Sequence, residues 1–147
     1  MPDTVTVNLK QEADYKFSLN FGENIPVLYS DESPPIGQSE GPTPVQLLAA
    51  AVGNCLSASL LFALRKYKQA PEPITAEARA MVGRNAENRL RVQRIEVALT
   101  LGKPAEELEH LERALGQFEA FCTVTESVRL GIPVEVSVFD AAGKKLK

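Results

Sequence analysis

One long apolar stretch, running from Val45 to Leu64 behind a helix-start signal, sets the terms on which the rest of this chain must fold. Thr43 stands as an N-cap, Pro44 takes the first helical position, and Gln46 is placed to complete a capping box. The pattern predicts a helix from there to about Lys68, roughly 37 Å long at 1.5 Å per residue. Leu47, Leu48, Ala50, Ala51, Val52, Leu56, Ala58, Leu60, Leu61, Phe62 and Leu64 cover nearly every side of it. A helix that is apolar all round needs cover all round. Gln46, Gly53, Asn54, Ser57 and Ser59 interrupt the stretch and argue against a membrane span. The cover must then come from protein, and one small sheet reaches one side only. A homodimer built around this helix is the expectation.

The 147 residues are read as a single domain, 1–147, large enough for a core without disulfide staples. The opening MPDTVTVNLK lacks the basic and apolar regions of a secretory signal, so a reducing, cytoplasmic compartment is expected. A net charge of −3 and a pI near 5.3 offer no attraction to nucleic acid or to an anionic membrane.

Val5, Val7 and Leu9 alternate with polar residues. After a polar turn at residues 11–14, Tyr15, Phe17, Leu19 and Phe21 alternate in the same way. Period-two alternation predicts a hairpin with one covered face. A third strand is expected over Ile25 to Tyr29, with Pro26 near an edge. The segment SDESPPIGQSEGPTP is a loop leading into the helix. Beyond it, Ile74, Ala76, Ala78, Ala80 and Val82 alternate, residues 83–89 turn, and the returning strand runs from Leu90 to Leu101. Its apolar parity shifts between Val92 and Ile95, which predicts a β-bulge near Gln93 and Arg94.

A second helix is expected from Pro104, its first turn favoured by Glu106 and Glu107 beside the positive helix end. Leu108, Leu111, Leu115, Phe118 and Cys122 form one stripe on it, facing the first helix. His110 falls on the polar side as a solvated helix residue. A last strand carries Ile132, Val134, Val136 and Val138. The fold class is α+β, in the order β-β-β-α-β-β-α-β.

Chemistry centres on the two cysteines, Cys55 and Cys122, both predicted on inward helix faces. In a reducing compartment such a pair suits a dithiol cycle: one thiolate is oxidised to sulfenic acid and the other condenses with it to a disulfide. Buried inertness is the competing outcome. Cys55 lies too far along its helix to gain much from the N-terminal dipole, so a neighbouring cation or donors such as Ser59 or Asn54 would have to activate it. Gly53 could admit a ligand beside the sulfur or serve close packing. Two distant cysteines and one histidine fall short of a zinc site, and no phosphate loop or dinucleotide fingerprint occurs, so neither metal nor cofactor is expected.

Taken together, GPTPVQLLAAAVGNCLSASL, FCTVTESV and GIPVEVSV resemble the OsmC/Ohr family of bacterial proteins, and the resemblance spans essentially the whole chain. It implies an intertwined homodimer with the long helices buried at its centre. It implies a thiol peroxidase acting on organic hydroperoxides in oxidative-stress defence, with Cys55 peroxidatic, Cys122 resolving, and an external dithiol, such as a lipoyl group, as reductant. Two departures matter. The family's glutamate ten residues before the peroxidatic cysteine is here Val45, and no arginine precedes Arg65 to stand for the family's N-terminal arginine. Glu126 and Arg129 beyond Cys122, or Glu32 and Glu40 in the loop, are the candidate substitutes. The alternatives are a small-molecule binding protein of the same fold with passive thiols, or a thiol redox sensor.

Overall fold

The computed structural model describes residues 2–147. The chain divides into two compact units, Met1–Leu47 and Leu48–Lys147.

In the first unit, β1 (Asn8–Ala13), β2 (Lys16–Asn20) and β3 (Leu28–Ser30) form an antiparallel sheet in that order. The β1–β2 turn needs Asp14 at φ 53°, a left-handed conformation that Asp tolerates. The third strand is shorter and later than the alternation suggests. Pro26, which has no N–H to give a ladder, falls outside it. Leu19 is buried and Phe17 half-buried, whereas Leu9 is 61% exposed and every β1 residue is exposed, so the apolar face expected of the hairpin is covered on β2 and open on β1. The following loop is folded around the buried Asp31. Its carboxylate accepts backbone N–H bonds from Glu32 (2.7 Å), Gln38 (3.0 Å) and Glu40 (3.2 Å).

The long helix α1 spans Pro44–Lys66. Its capping box is complete: Gln46 N–H donates to Thr43 Oγ1 at 3.2 Å, and Thr43 N–H donates to Gln46 Oε1 at 2.8 Å. By length and composition α1 could cross a membrane. Here Val52, Leu56, Leu60 and Leu64 are fully buried and share one core cluster with Ile95, Val97, Leu99, Phe118 and Val138.

In the second unit, β4 (Thr75–Arg84), β5 (Leu90–Thr100) and β6 (Val134–Phe139) form a sheet with β5 central. Met81 pairs with Arg94 and Val82 with Val92, leaving Gln93 as the extra residue of a bulge. That one-residue offset is what carries Ile95, Val97 and Leu99 to the core side. β6 runs parallel to β5, with Ile95 opposite Val134 and Leu99 opposite Val138. A parallel partner requires a crossover, and the helical segment between β5 and β6 supplies it.

That segment is not the single helix its apolar stripe suggests. A 3₁₀ turn at Ala105–Glu107 precedes α2 (Leu111–Gln117), a second 3₁₀ turn covers Phe118–Phe121, and α3 spans Thr123–Val128. His110 lies outside the helix in a left-handed conformation (φ 58°), its ring stacked 5.0 Å from that of Tyr67. Gln69 Oε1 accepts the Glu109 N–H at 2.9 Å and helps hold this break. Cys122 sits at the second break, with extended geometry (φ −82°, ψ 96°). The stripe nevertheless stays inward, because a 3₁₀ turn also returns to the same side after three residues.

Candidate active site

α1 carries Cys55 half-buried on the side turned toward the core, and the backbone break before α3 carries Cys122, which is 1% exposed. Both thiols are free, and Cys55 is near enough to Cys122 to push that thiol above its ordinary value. The fold thus brings together the two residues that the sequence singles out for redox chemistry.

Three features hold this geometry. Gly53 packs against β4, where a Cβ would stand 3.2 Å from the Ala78 Cβ, so its smallness serves close helix–sheet packing beside Cys55. Ser59, one turn beyond Cys55, donates its hydroxyl to the Phe118 carbonyl at 2.5 Å. That bond ties α1 to the turn leading to Cys122 and commits the Ser59 proton away from the sulfur. Thr125, fully buried, accepts from Cys122 Sγ at 3.0 Å. Its signal in the sequence was a small polar residue three positions after a cysteine, which becomes meaningful only once that cysteine is seen to precede a new helix.

The two thiols differ in electrostatic setting. Burial pushes the Cys122 thiol above its ordinary value, the adjacent Cys55 pushes the same way, and Thr125 works against both. Cys122 is therefore a neutral thiol near pH 7, while Cys55 is the more accessible sulfur.

The charged candidates have other partners. Arg129 is bound to Glu119 (2.6 Å), to Glu126 (2.7 Å) and to the Val134 carbonyl (2.9 Å). Glu126 is exposed, and its backbone N–H donates to the Cys122 carbonyl at 3.0 Å. Glu40 pairs with Lys16 at 3.2 Å, and Glu32 contributes its backbone to the Asp31-centred loop. Val45 is half-buried in the first turn of α1. Among the described residues no group of three or more His, Cys, Asp and Glu side chains is gathered for a metal.

Along α1 from Cys55, a mainly apolar hollow of about 100 Å³ lies between Ser59, Phe62, Ala63 and Lys66 on one side and Phe118 and Phe121 on the other. Phe62 and Phe121 are 73% and 74% exposed.

A family model for OsmC-like proteins matches residues 37–137, and the chain belongs to that family. Solved structures share its fold. An OsmC-like protein from Vibrio cholerae matches with a TM-score of 0.78 at 15% identity, over 94% of this chain and 100% of that one. An organic hydroperoxide resistance protein from Elizabethkingia anophelis matches with a TM-score of 0.71 at 14% identity, over 94% and 98%. The organic hydroperoxide resistance protein OhrB of Bacillus subtilis matches at 0.68 and 13%, over 92% and 98%. No curated protein matches the sequence.

Proposed function

We propose that the protein is a thiol-dependent peroxidase that reduces organic hydroperoxides through a Cys55–Cys122 dithiol cycle. The observation that carries this reading is the pairing of two free thiols from distant parts of the chain, one accessible and one buried and protonated. The Cys55 thiolate attacks the outer oxygen of the hydroperoxide; the S–O bond forms as the O–O bond breaks, and the alkoxide takes a proton and leaves as an alcohol. The Cys122 thiolate then attacks the sulfenic sulfur, and the displaced hydroxide leaves as water. An external dithiol reduces the resulting disulfide and restores both thiols. The apolar hollow farther along α1, lined by Phe62, Phe118 and Phe121 among others, suits an organic substituent better than hydrogen peroxide. Two of the aligned solved proteins are named as hydroperoxide resistance proteins, which agrees with this chemistry.

The working form in this reading is a homodimer. Ala51, Asn54, Ala58 and Phe62 are exposed on one side of α1, an apolar strip that a second copy would cover. Val45, together with an Arg129 already engaged by two carboxylates, favours a second reading in which the thiols respond slowly, as a sensor or as bystanders to ligand binding.

The deciding measurement is the free-thiol count of reduced protein before and after one equivalent of cumene hydroperoxide, with hydrogen peroxide in parallel. Rapid loss of both thiols as an intramolecular disulfide, faster with the organic peroxide, is the expected result. Thiols that persist for hours overturn it.

Closure should also depend on pH in a defined direction. Because the Cys122 thiol titrates above the usual range and the attacking species is its thiolate, closure should accelerate about tenfold per pH unit below that point. A stopped-flow closure rate that is flat between pH 6 and pH 8, on the order of two units, would contradict the assignment of Cys122 as the attacking thiol.

A further inference from the structure

We infer that Arg129 is a positioning residue: its guanidinium clamps the chain on both sides of Cys122 and so sets the effective concentration of that thiol against Cys55. This deepens the dithiol reading above and rests on it for its use. Cys122 occupies an extended residue between a four-residue 3₁₀ turn and the six-residue α3. Helical pieces this short do not sustain themselves. The Ser59 hydroxyl holds the start of this turn at the Phe118 carbonyl, but nearer the sulfur the bonds are local: Cys122 N–H to the Glu119 carbonyl at 3.0 Å, Glu126 N–H to the Cys122 carbonyl at 3.0 Å, and Sγ to Thr125. None of these local bonds fixes the stretch after Phe118 to the rest of the unit.

Arg129 does. Nη2 donates to Glu119 Oε1 (2.6 Å) in the turn before Cys122, and Nη1 donates to Glu126 Oε1 (2.7 Å) in the helix after it. Nη2 and Nε both donate to the carbonyl of Val134 (2.9 and 3.3 Å), the first residue of β6 in the core sheet. One planar fork therefore fastens both flanks of the cysteine to the buried first residue of β6, a geometry that the point charge of lysine cannot reproduce in full. Glu119 is secured from the other side by Lys147 Nζ at 2.5 Å, which also donates to the Leu115 carbonyl at 2.8 Å. The side chains of Arg129 and Glu119 are 28% and 16% exposed, so their pairing is less screened than a surface ion pair.

The test uses the full chain and needs no peroxide. Reduced protein is equilibrated with mixtures of glutathione and glutathione disulfide. The dithiol gives two electrons to the glutathione disulfide, the Cys55–Cys122 bond forms, and two glutathione thiols are released. The acid-quenched disulfide fraction gives the effective concentration of the pair. Arg129→Met is expected to lower it about tenfold or more, with Arg129→Lys recovering part of the loss. Glu119→Gln, a milder change, is expected to lower it in the same direction and serves if Arg129→Met does not fold. Arg94→Met, which removes a surface arginine paired with Glu96 and Glu135, is expected to leave it unchanged. A lower Tm with an unchanged equilibrium would make Arg129 a structural brace only and overturn the inference, as would a wild-type protein that forms no Cys55–Cys122 disulfide at any ratio. A wild type that closes its disulfide with glutathione but ignores hydroperoxide sinks the peroxidase reading and leaves this one standing.

Discussion

Cys55→Ser is expected to reduce hydroperoxide consumption to the rate of the peroxide alone, the largest functional loss that any single substitution should cause. A serine hydroxyl at this place keeps the volume and loses the nucleophile, since only a thiolate attacks the peroxide oxygen readily at neutral pH. Cys122→Ser should behave differently. Cys55 remains, so one equivalent of hydroperoxide is consumed and a sulfenic acid accumulates with no partner to close on, open to further oxidation. The check is a coupled peroxide assay with intact mass measured after each equivalent. Equal turnover in both variants would place the chemistry elsewhere. Full activity in Cys122→Ser with an external thiol present would instead make the buried cysteine dispensable, and the Arg129 clamp would then have no catalytic consequence.

The parts of this fold most legible in the sequence are those fixed by local chemistry. Thr43, Pro44 and Gln46 announced the start of α1, and both reciprocal bonds of the capping box are present. The parity change between Val92 and Ile95 located the bulge at Gln93, because a strand can move its apolar residues to the other side only by adding one. The segment from Pro104 to Val128 was less legible. Apolar residues at three- and four-residue spacing fit an α-helix and a chain of short α and 3₁₀ turns equally well. No Gly or Pro marks the breaks at His110 and Cys122. The first is held by Gln69 and Tyr67, more than forty residues back in sequence, where no local pattern can reveal it. The β-branched run Thr123, Val124, Thr125 is the one local hint at the second.

The same division applies to the site. The two cysteines stood out by type and by inward position, and the fold brings them together. Arg129 and Glu126 are the sequence's candidate aids to Cys55, yet their charges answer each other and Glu119. Glu119 and Lys147 stand in no pattern that the sequence offers, and only the tertiary structure brings them into one carboxylate–cation cluster. Burial pushes the Glu119 carboxyl up, but bonds from Lys147 and Arg129 outweigh it and hold the group below the usual range. Pairing of this kind depends on three-dimensional proximity and leaves no spacing to read.

The largest expected effect on stability is that of Phe118→Ala. Phe118 is fully buried in the cluster that joins α1 to the β4–β6 sheet, and Lys147 Nζ stands 5.3 Å from its ring centre. Truncation removes a ring's worth of apolar contact and leaves a cavity that the surrounding Leu and Val side chains can fill only partly, a cost of about 3–5 kcal/mol. Against a typical total of roughly 5–15 kcal/mol, this is a large share, and it corresponds to a Tm loss on the order of 10–15 °C for a chain of this size. Leu130, 91% exposed, supplies the control: Leu130→Ala should change stability by no more than about 0.5 kcal/mol. The bond from the Ser59 hydroxyl to the Phe118 carbonyl does not depend on the ring, so below its lowered Tm the Phe118→Ala protein should still form the Cys55–Cys122 disulfide. Denaturant melts followed by glutathione equilibration separate the two effects. A variant that stays as stable as wild type would mean that the ring is not a principal support of this core, whereas one that keeps its fold at 25 °C but loses the disulfide would mean that Phe118 acts on the thiol pair directly.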